Sequence, residues 1–343
     1  MSARKSLIRR GFLAATALCA TILSAAPAKA DPIVLKVGTL APTASPWGKV
    51  FDTWSRGIKE RTKGAVEIQI FPNSQQGDEI TMAGKIRNGQ LDGAAMTATG
   101  LGSFNQNVLA LQLPGVFNGD WKKLDNARNA VRPLLDPDFE KRDASGKAKG
   151  VYVVGWGDVG VGYLMSKGGQ VNKPSDLKSF KPFYIAGDPI GQNFLTTVGV
   201  TLKAIPVPEI FTALSGNNVN VITSPALAAE QLQWSSFLDN LNDMPIGMGI
   251  GGLVFSAAKL DSLPPEIKAA VLETGKITGE ALTEKIRKED ALALGRLKGT
   301  MKVYKPSPAD QNEWANVFAK TRKAVCGTTI KQAVCDAVIA AAK

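Results

Sequence analysis

Apolar positions along this chain switch between two periods. Ile33-Val34-Leu35-Lys36-Val37-Gly38-Thr39 reads as a buried strand, and Ser45-Pro46 as a helix cap with proline at the first helical position. Trp47, Val50, Phe51, Trp54 and Ile58 then recur at the spacing of one helix face. Val66, Ile68 and Ile70 alternate with Glu67 and Gln69, a strand closed by Phe71-Pro72-Asn73. A helix over about 77–88 and a strand over 91–97 complete β-α-β-α-β, the start of a parallel sheet with helices on its faces.

The pattern then repeats. Residues 122–135 are helical, and 151–166 form a long, Gly-interrupted extended run able to cross between domains. A second module follows: strand 183–186, helix 190–198, strand 202–206, helix 209–214, strand 219–223 and helix 226–233. The expected fold is α/β, with two similar lobes joined by crossover strands. Lobe I takes 31–155 with a return segment at about 245–270, whose strand is 247–255, and lobe II takes 156–244. From Pro265 to Lys298 no proline interrupts a helical pattern, so a helix about 50 Å long reaches both lobes, with Gly275, Gly279 and Gly295 as points of bending. Residues 299–343 supply two C-terminal helices, about 308–325 and 329–342, that pack back over the lobes.

Charge changes the picture at one end. The 343 residues hold 41 Lys+Arg against 30 Asp+Glu and no histidine. Arg4, Lys5, Arg9, Arg10 and Lys29 stand in the first 30 residues without an acid, so nearly half of the +11 excess belongs there. A basic start, a small apolar run over 11–26 and Ala28-Lys29-Ala30 read as a cleaved secretory signal peptide, 1–30, placing the mature chain in the periplasm. Arg9-Arg10-Gly11-Phe12-Leu13 is similar to a twin-arginine signature, which leaves Sec and twin-arginine export open. Leu18 before Cys19 spoils a lipobox.

Cys326 and Cys335 then remain in an oxidising compartment and are expected to pair, with two free thiols as the alternative. Along one straight helix they would stand about 13 Å apart, beyond disulfide reach. Gly327 is therefore expected to end one helix, with Thr328 or Thr329 capping the next.

Missing histidine excludes Ser-His-Asp and Cys-His catalysis and imidazole metal sites. Gly100-Leu101-Gly102 lacks a phosphate-loop lysine, and Asp136 and Asp138 read as turn chemistry in a Pro-containing loop rather than a glycosidase pair. Dispersed basic residues argue against nucleic acid. The chain is expected to be no enzyme and to need no cofactor or metal.

The ordered segments LKVGTLAPTASPWGKVF, VEIQIFPNSQQGDEITMAGKIRNGQLDGAAM, LALQLPGVF, KPSDLKSFKPFYIAGDP, EIFTALSGNNVNVITSP and LVFSAAKLDSLPPEIKAAV cover most of 33–275. The chain thereby resembles the solute-binding subunits of tripartite ATP-independent periplasmic (TRAP) transporters. The resemblance implies a type II-like periplasmic-binding-protein clamshell that captures one small solute and delivers it, as a monomer, to small and large membrane subunits. In dicarboxylate-type members an arginine on the first strand of lobe II clamps the ligand carboxylate. Tyr184 takes its place here, and Lys181, three residues earlier, faces the other side of the strand. Ser224 replaces the usual Asn before proline, and Asn220 the usual Asp. This pattern is similar to a branch for which a hydrophobic ligand is proposed. The implied solute is uncharged or amphiphilic; C4-dicarboxylate or other organic-acid binding, and a transporter-independent carrier or sensor, are the alternatives.

Ligands in open α/β sheets sit beyond the carboxyl ends of strands. That rule nominates Trp47, Thr99, Trp156, Tyr184, Thr223 and Ser224, with Trp234 and Asp188 beside them. The aromatic residues line either the cleft or the core, and Asp188 serves either the ligand or the cap of the following helix. Gly249–Gly252 gives either close backbone approach or a hinge.

Overall fold

The computed structural model describes residues 31–343; the expected signal segment and Cys19 lie outside them. The elements, in chain order, are β1 (Ile33–Thr39), α1 (Pro46–Arg61), β2 (Val66–Phe71), α2 (Glu79–Arg87), β3 (Gly93–Thr97) and α3 (Ala98–Gly102), then α4 (Trp121–Phe139) and β4 (Val151–Ser166). The second module holds β5 (Tyr184–Ile185), α5 (Pro189–Val198), β6 (Ala204–Ile205), α6 (Ile210–Ser215), β7 (Val221–Pro225) and α7 (Ala226–Gln231). The chain returns through β8 (Asn240–Ser256) to α8 (Ala257–Asp261), α9 (Pro265–Thr300), β9 (Lys302–Tyr304), α10 (Pro308–Val325) and α11 (Gln332–Ala341).

The main sheet runs β2-β1-β3-β8-β4-β7, with β9 beside β8. β1 pairs in parallel with β2 and β3, as the alternating pattern predicts. Phe51, Trp54 and Ile58 of α1 are buried as the helix period requires, and full burial of each contributes about 1.5–3 kcal/mol. The second module departs from the first: β5 and β6 form a separate two-stranded sheet, while β7 joins β4. Pro182 has no amide hydrogen to give a ladder. Beside it the Asn220 side chain substitutes, its Oδ1 accepting from Lys181 N at 2.7 Å.

β4 and β8 run antiparallel from Val151↔Ser256 to Ser166↔Asn240, with register shifts around Val153/Gly155, Asp158/Gly160 and Gly162/Leu164. Strand 8 starts seven residues before the predicted 247, because its polar first residues still pair with β4 and β9. Helix α9 lies across this ribbon. At Gly275 and Gly279 the helix and strand backbones touch: a Cβ on Gly155 would stand 2.2 Å from Gly275 O, and one on Gly279 2.4 Å from Trp156 O. The helix bonds elements on both sides of the crossover, through Trp54 Nε1 to Thr274 Oγ1 at 3.1 Å and through Leu227 N to Asp290 Oδ1 at 2.9 Å.

Helix α4 runs past 135 despite Pro133 and Pro137, so Asp136 and Asp138 sit in its last turn and not in a loop. Buried Leu135 and Phe139 extend the stripe of Leu124, Ala127 and Val131, and that burial outweighs the lost backbone bonds. At the C-terminus Cys326 and Cys335 are disulfide-bonded with Cα atoms 6.1 Å apart. Gly327 has φ +80, as a chain reversal requires. Neither threonine caps α11, whose N-cap is Lys331. Thr328 instead donates its hydroxyl back to Ala324 O at 2.6 Å, satisfying a carbonyl at the end of α10. Trp314 of α10 is fully buried and stacks on Phe194 of α5 at 6.2 Å.

Candidate functional site

Turns at strand ends deliver the site. Ser45 Oγ accepts from Gly48 N at 3.1 Å, which starts α1 and presents Trp47; its indole N–H donates to Asp158 O at 3.4 Å. Glu79 opens α2 but its carboxylate reaches the β3–α3 turn, accepting from Thr97 Oγ1 at 2.6 Å and Gly100 N at 3.0 Å as well as from Thr97 N. Those bonds position Thr99. Burial pushes the Glu79 carboxyl up against the lowering effect of these donors.

Across the cleft, Asp188 caps α5, accepting from Ile190 N at 2.9 Å. Burial raises its carboxyl too. Gly187, at φ +86, packs against Ile80 and Thr99, so the lobes meet at the cleft mouth. Tyr184, on β5, is held by its backbone N–H to Lys203 O at 3.0 Å. Lys181 bonds Asn217 O at 2.9 Å and lines neither cleft cavity.

Two adjoining cavities occupy the cleft. The first, about 230 Å³, brings together Tyr184, Asp188, Thr99, Thr223, Ser224 and Trp234. The second, about 170 Å³, shares Thr223, Ser224 and Trp234 and adds Trp47. Trp156 is outside both. It packs edge-on against Phe139, ring centroids 6.2 Å apart, and its indole N–H finds no acceptor. Strand parity is the reason: the side chains of Trp156 and Asp158, two apart, both turn toward α4, while Val159 faces both cavities and Asp158, its side chain fully buried, lines only the second. Gln112, Phe194 and Met248 also line the first cavity; they carry no local pattern that marks them as cleft residues.

Sequence reasoning also missed a buried ionic network behind the cleft. Asp158, 2% exposed, pairs with Arg128 and accepts from Arg287 Nε at 2.6 Å. Arg287 also bonds Asp125, at 2.8 Å through its second nitrogen, and lies 4.5 Å over the Trp121 ring. These Arg287 bonds hold the Asp125 carboxyl below its ordinary range. The network ties α4, β4 and α9 together and neutralises both arginines. Among the described residues no Lys or Arg lines either cavity, and no cluster of potential metal ligands occurs. No helix among them is long and apolar enough to cross a membrane.

Two lobes, crossover strands and a cleft between them define a solute-binding protein. The model of bacterial extracellular solute-binding protein family 7, DctP, matches residues 37–326, and the chain belongs to this family of periplasmic TRAP solute-binding proteins. It is 22% identical over 317 residues to the C4-dicarboxylate-binding periplasmic protein DctP of Rhodobacter capsulatus, covering 87% of this chain and 89% of that one. A solved TRAP periplasmic solute-binding protein from Haemophilus influenzae, with bound L-gulonate, superposes with TM-score 0.80 at 17% identity over 91% of this chain and all of that one (100%). Another from Shewanella oneidensis, with bound succinate, gives 0.80 at 17% identity with the same coverage, 91% and 100%.

Proposed function

We propose that this chain captures one small, uncharged or amphiphilic, partly apolar solute by closing its lobes, 31–155 with 245–270 and 156–244, and delivers it as a monomer to the small and large TRAP membrane subunits. Export through a cleaved 1–30 segment belongs to the same reading. The carrying observation is a cleft lined by Tyr184 and by no Lys or Arg among the described residues; the resemblance implies that Tyr184 takes the place of the carboxylate-clamping arginine. Arg128 and Arg287 are the near cations, and both are engaged by Asp158 and Asp125. An anionic ligand would meet no compensating cation in the lining, and beside it the Asp188 carboxyl would either repel it or have to take up a proton.

The second reading is organic-acid capture, favoured by the gulonate and succinate held by the similar folds. A thermal-shift panel decides between them, backed by native mass spectrometry of protein from its own periplasm. A ligand at 100 times its Kd adds about 2.7 kcal/mol of stability. Uncharged solutes are expected to shift the melt; a shift by dicarboxylates alone sinks the first reading. Tyr184→Ala should weaken the true ligand, and unchanged affinity places Tyr184 outside the binding surface.

A further inference from the structure

Both cavities are walled mostly by apolar side chains and differ in the polar ones. Tyr184, Asp188, Gln112 and Thr99 line the first. The second is walled by Trp47, Phe51, Val207, Leu232 and Leu282, and most of its polar groups are already engaged, Thr223 at the boundary with the first cavity being the exception. Glu79 accepts its three donors from the β3–α3 turn, and Asp158 is held by two arginines. The Trp47 N–H is directed to Asp158 O, and Thr39 Oγ1 accepts from Ala41 N at 3.2 Å. A polar ligand group entering this chamber would lose water and gain little in return. The wall between the two is shared, with Thr97, Val159, Ile185 and Trp234 facing both.

We infer that the second cavity is a tail chamber: it takes the aliphatic portion of the ligand, while the ligand's polar head sits against Tyr184 and Asp188. The occupant is an elongated amphiphile, and chain length is read by the depth of this chamber. This rests on the cleft being the ligand site, and it deepens the reading above by dividing the ligand into two parts.

Two matched probe series test it on the mature protein by calorimetry: straight-chain 1,2-alkanediols and straight-chain alkanoates of rising length. Each added methylene should tighten Kd about four-fold until the chamber is full, after which the gain stops. Val207→Trp, which brings an indole in from a half-exposed loop, should remove the length dependence and leave the shortest binding member unchanged. Ala228→Phe, from α7, which also lines this cavity, is the second blocking variant and should do the same.

Affinity that is flat with length, or a length dependence that survives both variants, overturns the chamber; so does binding by neither series. The head group is scored separately. If alkanoates bind and diols do not, the uncharged-solute reading fails, while the slope within the alkanoates still supports or overturns the chamber.

Discussion

The two strand-helix modules have similar hydrophobic patterns and are built differently. In the first, β1, β2 and β3 share one parallel ladder, and the cleft turn after β3 is tied down by three bonds to buried Glu79. In the second, β5 and β6 are two residues each and stand apart from β7, joined to it beside Pro182 by the Asn220 side chain. The carboxylates follow the same contrast. Glu79 holds a three-donor turn and lines the second cavity, whereas Asp188 caps α5 and lines the first beside Tyr184. A ladder gives a rigid wall; short strands held by side chains leave backbone that a ligand can help to order.

That contrast can be broken at its strong side first. Glu79→Ala strands the Thr97 and Gly100 N–H groups in a buried turn and should cost about 3 kcal/mol in urea unfolding, with Thr99 displaced and binding weakened. A loss under 1 kcal/mol would mean that water replaces the carboxylate and that the turn is no stiffer than its counterpart.

A smaller effect is expected at Asp261, which fastens α8 to β4 and α9. Burial pushes its carboxyl up, but bonds from Lys268, Tyr152 and Arg142 outweigh burial and hold it at about 2. A folded-state value below the unfolded one stabilises the protein above about pH 4, and that contribution is lost as pH falls toward 2. Asp261 is exposed and solvent screens its ion pairs, so Asp261→Asn should lower stability by about 1 kcal/mol at pH 7 and approach the parent at pH 2. Parallel stability curves across that window would remove the linkage.

Asn220→Ala should be mildest, about 1 kcal/mol or less, because exposed Lys181 N can bond water instead. Its signature is local: faster amide exchange around β5 and β6, with β1–β3 unchanged. Equal acceleration in both modules would erase the difference between them.

How far the chain could be read follows from range. The strand at 33–39, the α1 face and the 151–166 crossover depend on neighbours three or four residues away, and all are present as predicted. Local pattern failed at α4, where burial of Leu135 and Phe139 carried the helix through two prolines, and at α11, where Thr328 caps the helix behind it. Within the site, Tyr184, nominated from the end of its strand, does line the first cavity. Trp156 lines neither, since a shifted register chooses which face of β4 meets the cleft. The Arg128–Asp158–Arg287–Asp125 network joins residues up to 162 positions apart, and no local spacing announces it.

By itself the sequence determined the order of the main strands and helices, the family and the absence of imidazole chemistry, and it led to the expectation that Cys326 pairs with Cys335, as the structure bears out. These follow from local periodicity, motif order and residue counts. Only the tertiary structure decided that the second module splits, that the nearby arginines are occupied, and that the cleft holds two adjoining cavities with different polar groups in their walls. Each depends on which distant side chains share a buried volume, where an acceptor already taken cannot serve a ligand.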